Sequence, residues 1–512
     1  MHHEFLYLAL FLVATTVAVA ARHFRVPYTV ALVVAGLTLG VTHTLSPPHL
    51  TRELLYAVFL PGLIFEAAFH LDFKKFWSNK LAIHALAVPG LLLATALTAA
   101  LVTPAVGALG LAPGFTLTHG FVLASLLAAT DPIAVVGLFK SLGAPKRLAV
   151  LVEGESLLND GTAVVVFTLV LTYVADGALS PAAAALDFAR VVAGGALVGA
   201  LVGFVASKAI QRIDDPMIEI TLTSIAAYGS FALAERLHLS GVLATVVAGM
   251  LCGNYGASTG MSPSTRVAVE TFWEYVAFAL NSVVFLLIGF EVRLDALAAA
   301  WAPVTVAFFA VLLGRAAAVG ATALALRRTA ERFPPSWAAV LTWGGLRGGL
   351  SMVLALALPR AFPQRELIIT TTFGVVIASI LAQGLTMGPL LRRLGLAATD
   401  STGGRYAMEK ARQKALRAAL AVLDGLAREG AAAGDAVATA RGRYEALLTE
   451  SAGRVEAMHL ADDTLRREEH HALARSRRRP RRLLPLARGR RARRGPPARP
   501  AGGPFPWRSG PP

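Results

Sequence analysis

Long apolar runs fill residues 1–391 and restrict the fold of this 512-residue chain more than any other feature. About a dozen of them are long enough to cross a bilayer, which takes roughly 20 helical residues. Only 16% of the chain is charged, whereas soluble domains contain about a quarter. Backbone polar groups inside a bilayer must be satisfied within the protein, which favours helices. The sequence therefore predicts an all-α polytopic membrane protein with about 13 transmembrane helices.

The net charge of +16 belongs almost entirely to the C-terminal part of the chain. From Arg392 onward, 26 Lys and Arg stand against 12 Asp and Glu, while residues 1–391 contain 22 against 20. Anionic lipid at the inner membrane surface explains such a basic tail, so we predict membrane lipid and no nucleic acid as a partner. We predict a transmembrane domain at 1–395, a cytoplasmic helical tail at 396–475 and an Arg- and Pro-rich, disordered tail at 476–512.

The connections between the apolar runs alternate in charge. The odd-numbered connections contain 14 basic residues, and the even-numbered ones contain 6. Basic connections stay in the cytoplasm, so the N-terminus is expected outside and the C-terminus inside the cell.

Six ionisable residues fall at bilayer depth, where such groups mark ion pathways, proton relays or structural pairs. They are Glu66, Asp131, Glu155, Asp160, Arg315 and Arg347. Buried arginines need partners, which makes Glu155 the predicted half of a structural ion pair. Both arginines are predicted to be scaffold, because a fixed cation repels a transported one. Glu66 either lines the pathway or pairs locally.

The stretch "LVEGESLLNDGTAVVVF", Leu151 to Phe167, places a polar face on one transmembrane helix. Asp160 lies about 12 residues, or roughly 18 Å, into that helix, near the membrane midplane. Glu155 and Asn159 are four residues apart, and so are Ser156 and Asp160, so the four share one broad face. We expect this face to point into the helix bundle.

Two other apolar segments are predicted to be interrupted. In "AATDPIAVV", Pro132 removes a backbone donor and disfavours helix at Asp131, next to Thr130. In "WGGLRGGLS", four glycines surround Arg347. Interrupted helices in both halves of a membrane protein indicate a transporter site, where freed carbonyls and half-helix ends bind ions.

These segments resemble the monovalent cation:proton antiporter-1 family, which includes the sodium/proton exchangers. Five strings occur in the family's order: "LIFEAAF", "ATDPIAVV", "EGESLLNDGTAVV", "GGLRGG" and "QGLTMGPLL". The resemblance implies an inverted-repeat fold with two broken, crossing helices and a homodimer. It also implies that Asp160 binds Na⁺ or a proton, that Asn159 holds Asp131, and that Arg315 pairs with Glu155. Thr130, Ser156 and Glu66 would add oxygens around the cation, and Arg347 would be the arginine of the second broken helix.

The chemistry of the residues agrees with ion exchange. Carboxylate, hydroxyl and carbonyl oxygens suit a hard monovalent cation, and one buried carboxylate can carry either that cation or a proton. We therefore predict an electroneutral Na⁺/H⁺ antiporter of the cell membrane, with Li⁺ as a second candidate cation, which is not an enzyme and needs no cofactor. The alternative on the same scaffold is K⁺/H⁺ exchange. The sequence has no filter-like carbonyl run of a channel and no nucleotide-binding glycine loop of a primary pump.

Overall fold

The computed structural model describes residues 3–24, 27–42, 55–176, 181–397, 402–429 and 434–461. Within these ranges every regular element is helical, and none is a strand. The chain divides into two compact units, Met1–Thr399 and Asp400–Pro512. The predicted all-α class is confirmed.

Seventeen helices make up the described part of the first unit. They are α1 (His3–Phe24), α2 (Tyr28–Val41), α3 (Leu60–His70), α4 (Phe73–Trp77), α5 (Lys80–Ala108), α6 (Leu117–Leu126), α7 (Ile133–Leu142), α8 (Lys146–Asp176), α9 (Pro181–Ile210), α10 (Pro216–Arg236), α11 (Gly241–Thr259), α12 (Pro263–Phe290), α13 (Leu294–Ala299), α14 (Trp301–Leu326), α15 (Pro335–Trp343), α16 (Gly349–Leu356) and α17 (Arg365–Arg393). Short π-helical stretches precede α3 (Leu55–Phe59) and lie within α5 (Leu86–Gly90), α11 (Leu251–Gly256) and α17 (Ser379–Gln383).

Eight of these helices are long and apolar enough to cross a membrane, namely α5, α8, α9, α10, α11, α12, α14 and α17. Shorter apolar helices lie at Leu10–Ala21, Tyr28–Val41 and Tyr56–His70, and two more are α6 and α7. Length and composition thus identify a polytopic protein, and the count of 13 crossings stays a prediction.

The first broken segment is formed by α6 and α7. Helix α6 ends at Leu126 and α7 begins at Ile133. Pro132 cannot donate to a continuing helix, and Asp131 Oδ1 accepts a hydrogen bond from the Ile133 N–H at 2.9 Å. The side chain of Asp131 thereby satisfies a backbone donor at the start of α7, which stabilises the break.

The second broken segment is formed by α15 and α16, with residues 344–348 between them. Its glycines permit close packing. A Cβ atom on Gly345 would lie 2.2 Å from Arg315 Nε, and one on Gly348 would lie 2.5 Å from the Asp131 side chain. The two breaks also bond to each other, because the Asp131 N–H donates to the Leu346 carbonyl at 2.8 Å. Both predicted interruptions are confirmed, and they meet in the interior.

Helix α12 packs closely against α2. A Cβ atom on Gly36 would lie 2.1 Å from the Leu286 carbonyl oxygen, and one on Gly289 would lie 2.3 Å from the Val33 carbonyl oxygen. Further along the same pair, the hydroxyls of Tyr28 and Ser282 are 2.6 Å apart. Backbones this close leave little room for α12 to slide on α2.

The described part of the second unit is a pair of helices, α18 (Thr402–Glu429) and α19 (Gly434–Ala461), which pack against each other. Glu409 on α18 accepts hydrogen bonds from the Ser451 hydroxyl at 2.6 Å and from Arg454 Nε at 3.0 Å. These bonds hold the pKa of the Glu409 carboxyl below its usual value. The domain limits near residues 395 and 475 stay predictions, and segment 476–512 lies outside the described residues.

Candidate functional site

A cavity of about 140 Å³ lies where the first break, α8, α3, α12 and the start of α16 come together. It has room for several water molecules. Five of the predicted ion-binding residues line it: Glu66, Thr130, Asp131, Ser156 and Asp160. Most of the remaining wall is hydrocarbon, so the polar groups are concentrated around a small volume.

Helix α8 presents Ser156 and Asp160 to this cavity from successive turns of one face, as their spacing predicts. The first break adds Thr130 and Asp131, and α3 adds Glu66. The cavity therefore combines groups that are far apart in the sequence but were predicted to meet.

Three polar side chains next to the cavity form a buried chain of hydrogen bonds. The hydroxyls of Thr130 and Ser156 are 3.1 Å apart, and the Asn159 amide donates to the Thr130 hydroxyl at 2.9 Å. All three residues are at most 3% exposed. This chain fixes the Thr130 and Ser156 hydroxyls beside Asp160.

The contact expected between Asn159 and Asp131 is absent. The Asn159 amide donates instead to Thr130, to the Ala128 carbonyl at 3.3 Å and to Glu155 Oε1 at 3.2 Å. Asp131 is held by the Ile133 N–H, as described above. The expectation was wrong because Asn159 turns away from the main cavity, into a small one of about 20 Å³ that it shares with Glu155.

Glu155 and Arg315 form a two-pronged ion pair, as the sequence predicts. Arg315 Nη1 lies 3.1 Å from Glu155 Oε1, and Nη2 lies 3.0 Å from Oε2. The two side chains are 2% and 12% exposed. Arg315 Nε also donates to the Leu341 carbonyl at 2.9 Å. The pair thus connects α8 and α14 to the end of α15.

Arg347 is held by backbone instead of by a carboxylate. Its Nη1 donates to the carbonyls of Ala128 and Ala129, both at 3.1 Å, just after α6 ends. A helix C-terminus carries partial negative charge, which favours a cation there. Among the described residues no carboxylate lies within ion-pair distance of Arg347. Its position fits the predicted scaffold role, since it lines the small cavities next to the main one.

The profile of the family described as "Sodium/hydrogen exchanger, transmembrane" matches residues 8–393. The chain belongs to this family. The resemblance predicted from the motifs is confirmed over most of the transmembrane unit.

Named relatives of the exchanger span a similar length. The Na⁺/H⁺ antiporter NhaP of Pseudomonas aeruginosa is 42% identical over 349 residues, which are 67% of this chain and 81% of the relative. The Na⁺/H⁺ antiporter NhaG of Bacillus atrophaeus is 36% identical over 428 residues, 79% of this chain and 78% of the relative.

The fold of the exchanger is similar to that of the sodium proton antiporter MjNhaP1 from Methanocaldococcus jannaschii, solved at pH 8. The TM-score is 0.64 at 18% sequence identity, and the match covers 76% of this chain and 98% of the other. The predicted antiporter fold is therefore confirmed.

The sequence left two roles open for Glu66, lining the pathway or pairing locally, and the structure shows both. Glu66 lines the cavity of the exchanger, and its Oε1 lies 3.3 Å from Nδ1 of His70, one helical turn away.

Two further polar residues line the same cavity, Glu153 and Asn281. Neither is among the six residues that the sequence predicts at bilayer depth. The available signal for Asn281 was a single amide in the apolar stretch "AFALNSVVFLLIGF" of α12.

The donor set of the cavity is made of hard oxygen atoms from carboxylates, hydroxyls and an amide. Such ligands suit a hard cation or a proton. Within the ranges that the structure describes, no three His, Cys, Asp or Glu side chains converge to hold a resident metal ion.

Proposed function

We propose that this exchanger is a secondary antiporter that moves Na⁺ one way and H⁺ the other across a cell membrane. The observation that carries the proposal is the convergence of Asp160, Asp131, Thr130, Ser156 and Glu66 on one cavity. The relatives reported above are named Na⁺/H⁺ antiporters, which supports Na⁺ as the cation. The same names disfavour the K⁺/H⁺ alternative.

Asp160 is the group for which Na⁺ and H⁺ compete. A carboxylate in a mostly apolar cavity is costly to leave charged, and either a bound cation or a proton neutralises it. The hydroxyls of Thr130 and Ser156, fixed by Asn159, replace part of the water around Na⁺. Asp131 has a structural role, because its side chain caps the start of α7.

Exchange follows if the site opens to only one side at a time. A neutralised Asp160 can change sides readily, whereas an empty charged one is held back by the cost of moving a bare carboxylate through hydrocarbon. The ion that leaves must then be replaced by the other before the site returns. One carboxylate that carries one cation or one proton makes the exchange one for one and electroneutral.

The proposal also covers the location, oligomeric state, orientation and second substrate of the exchanger. We place the exchanger in the cell (inner) membrane as a homodimer with its N-terminus outside and its C-terminus in the cytoplasm. Li⁺ is a second substrate, since it is also a hard monovalent cation. The arrangement of basic connections supports the orientation.

The test is ion-driven proton flux into proteoliposomes that contain the purified protein. Added Na⁺ and Li⁺ should each cause proton movement through the exchanger, and K⁺ should cause little, across a range of pH. A response to K⁺ that equals the response to Na⁺ would establish the alternative. Vesicles that leak Na⁺ without moving protons would show a channel instead.

A further inference from the structure

We propose that Asn281 on α12 is a cation ligand of the exchanger, which offers its amide oxygen to Na⁺ from another wall of the cavity that contains Asp160. This inference rests on the proposed function. It adds a residue that sets the affinity for the cation, and it leaves the carrier of the proton unchanged.

The position of Asn281 is the first support. Asn281, Val284 and Phe285 line the cavity from α12, so they occupy one face at the i, i+3, i+4 spacing. Both neighbours on that face are hydrocarbon. An amide in such a series is out of place unless the space in front of it holds something polar.

The bonding state of Asn281 is the second support. Its partly buried amide forms no hydrogen bond to any residue that the structure describes. The adjacent Ser282 differs, because its hydroxyl bonds to both Tyr28 and the Phe278 carbonyl. Because Asn281 is only partly buried and lines the cavity, a cation held there can reach its amide oxygen.

The rigidity of α12 is the third support. Gly36 and Gly289 bring α12 and α2 into backbone contact, and Tyr28 stacks on Phe278 with ring centroids 5.4 Å apart. A ligand on a helix that is fixed in this way is preorganised, which reduces the entropy lost when it binds an ion.

The chemistry of an amide determines what Asn281 can contribute. Its oxygen is a hard, neutral ligand that does not titrate in the working range of pH. It can therefore strengthen cation binding without changing the number of protons exchanged. Asp160 keeps the charge, and Asn281 supplies one oxygen that water would otherwise provide.

The experiment compares three single variants with the parent chain in proteoliposomes. Asn281→Leu removes the amide at nearly constant size, and we expect it to raise the half-saturating Na⁺ concentration roughly three- to tenfold. The maximal rate and the pH profile at saturating Na⁺ should stay unchanged, since no titrating group is lost. Asn281→Ser returns a neutral oxygen and should recover part of the affinity. Val284→Ala alters the same wall without removing an oxygen and should leave Na⁺ affinity as in the parent.

Na⁺-dependent thermal stabilisation of the same purified proteins measures binding without transport. The proposal predicts a weaker Na⁺ response for Asn281→Leu than for the parent and Val284→Ala. Equal responses for Asn281→Leu and the parent would overturn it, and so would an equal loss in Val284→Ala. Na⁺ binding without exchange in the parent would contradict only the proposed function, and a parent that neither binds nor transports Na⁺ would contradict both. If the Leu variant folds poorly, Asn281→Ala replaces it under the same criteria.

Discussion

The two aspartates that line the cavity, Asp160 and Asp131, differ in their hydrogen bonds. Asp160 faces the cavity and is available to an ion, whereas Asp131 is bonded to the backbone that follows it. Asn159 bonds to Thr130, which bonds to Ser156, so it fixes the two hydroxyls that line the cavity beside Asp160. Two aspartates in one cavity can therefore have different roles because their surroundings differ.

Asp160→Asn should abolish exchange while the protein still inserts and folds. The amide has almost the same shape, but it neither takes up a proton nor neutralises a cation. Proton flux in proteoliposomes measures the loss, and elution in size-exclusion chromatography measures folding. The matched control is Asp187→Asn, a half-exposed carboxylate on α9. Near-normal flux in the Asp160→Asn protein would refute the central assignment.

Removing either partner of the Glu155–Arg315 pair should lower the yield of folded protein. Each of Glu155→Gln and Arg315→Gln leaves an uncompensated buried charge, which costs roughly 3–5 kcal/mol. The double variant should recover part of that loss, because neither charge remains. Yield and thermal stability in detergent measure both effects. A double variant as unstable as the two losses combined would show that the pair contributes nothing as a pair.

The sequence predicted those features of the site that depend on local backbone effects. It did not predict the contacts that depend on how the helices pack. Pro132 and the glycines around Arg347 predict breaks, since both act on their own backbone. The bonding partners of Asn159 depend on which side of α8 faces which neighbour, and spacing alone assigned the wrong one. Asn281 gave only one local signal, an amide in an apolar stretch, because the cavity in front of it is lined mostly by other helices.

At the scale of elements, the two broken segments act as one unit. The backbone bond from Asp131 to Leu346 joins the breaks, and Arg347 joins the end of α6 to the second break. Bonds between main-chain atoms do not depend on side-chain identity. The predicted crossing is thus maintained by one main-chain bond and one guanidinium, and the glycines leave the space that this contact needs.

Gly348→Ala should reduce exchange at least tenfold while the protein remains folded. The added Cβ would lie 2.5 Å from the Asp131 side chain, so the two breaks would have to move apart. Gly137→Ala is the control, since nothing lies within 4 Å of a Cβ atom on this glycine of α7. Initial rates of Na⁺-driven proton flux compare the two variants. Equal rates would mean that the contact between the breaks tolerates displacement.

The whole molecule should transport ions without moving net charge. Asn159 does not titrate and Asp131 caps α7, and the proposed function assigns the transported proton to Asp160 alone. Na⁺-driven proton flux should then be the same at any membrane potential set with K⁺ and valinomycin. A clear dependence on voltage would show a second titrating group. Glu66 would be examined first, because it lines the same cavity.

The glycines at Gly345 and Gly348 restrict which descendants of this sequence could survive selection. Neither residue carries charge or touches an ion, yet each leaves only enough space for the side chain that passes it, Arg315 and Asp131 respectively. A random library selected for growth in high salt should therefore lose substitutions at these positions as completely as at Asp160. The sequence variation that this exchanger tolerates is therefore limited by the space beside two glycines as well as by its carboxylates.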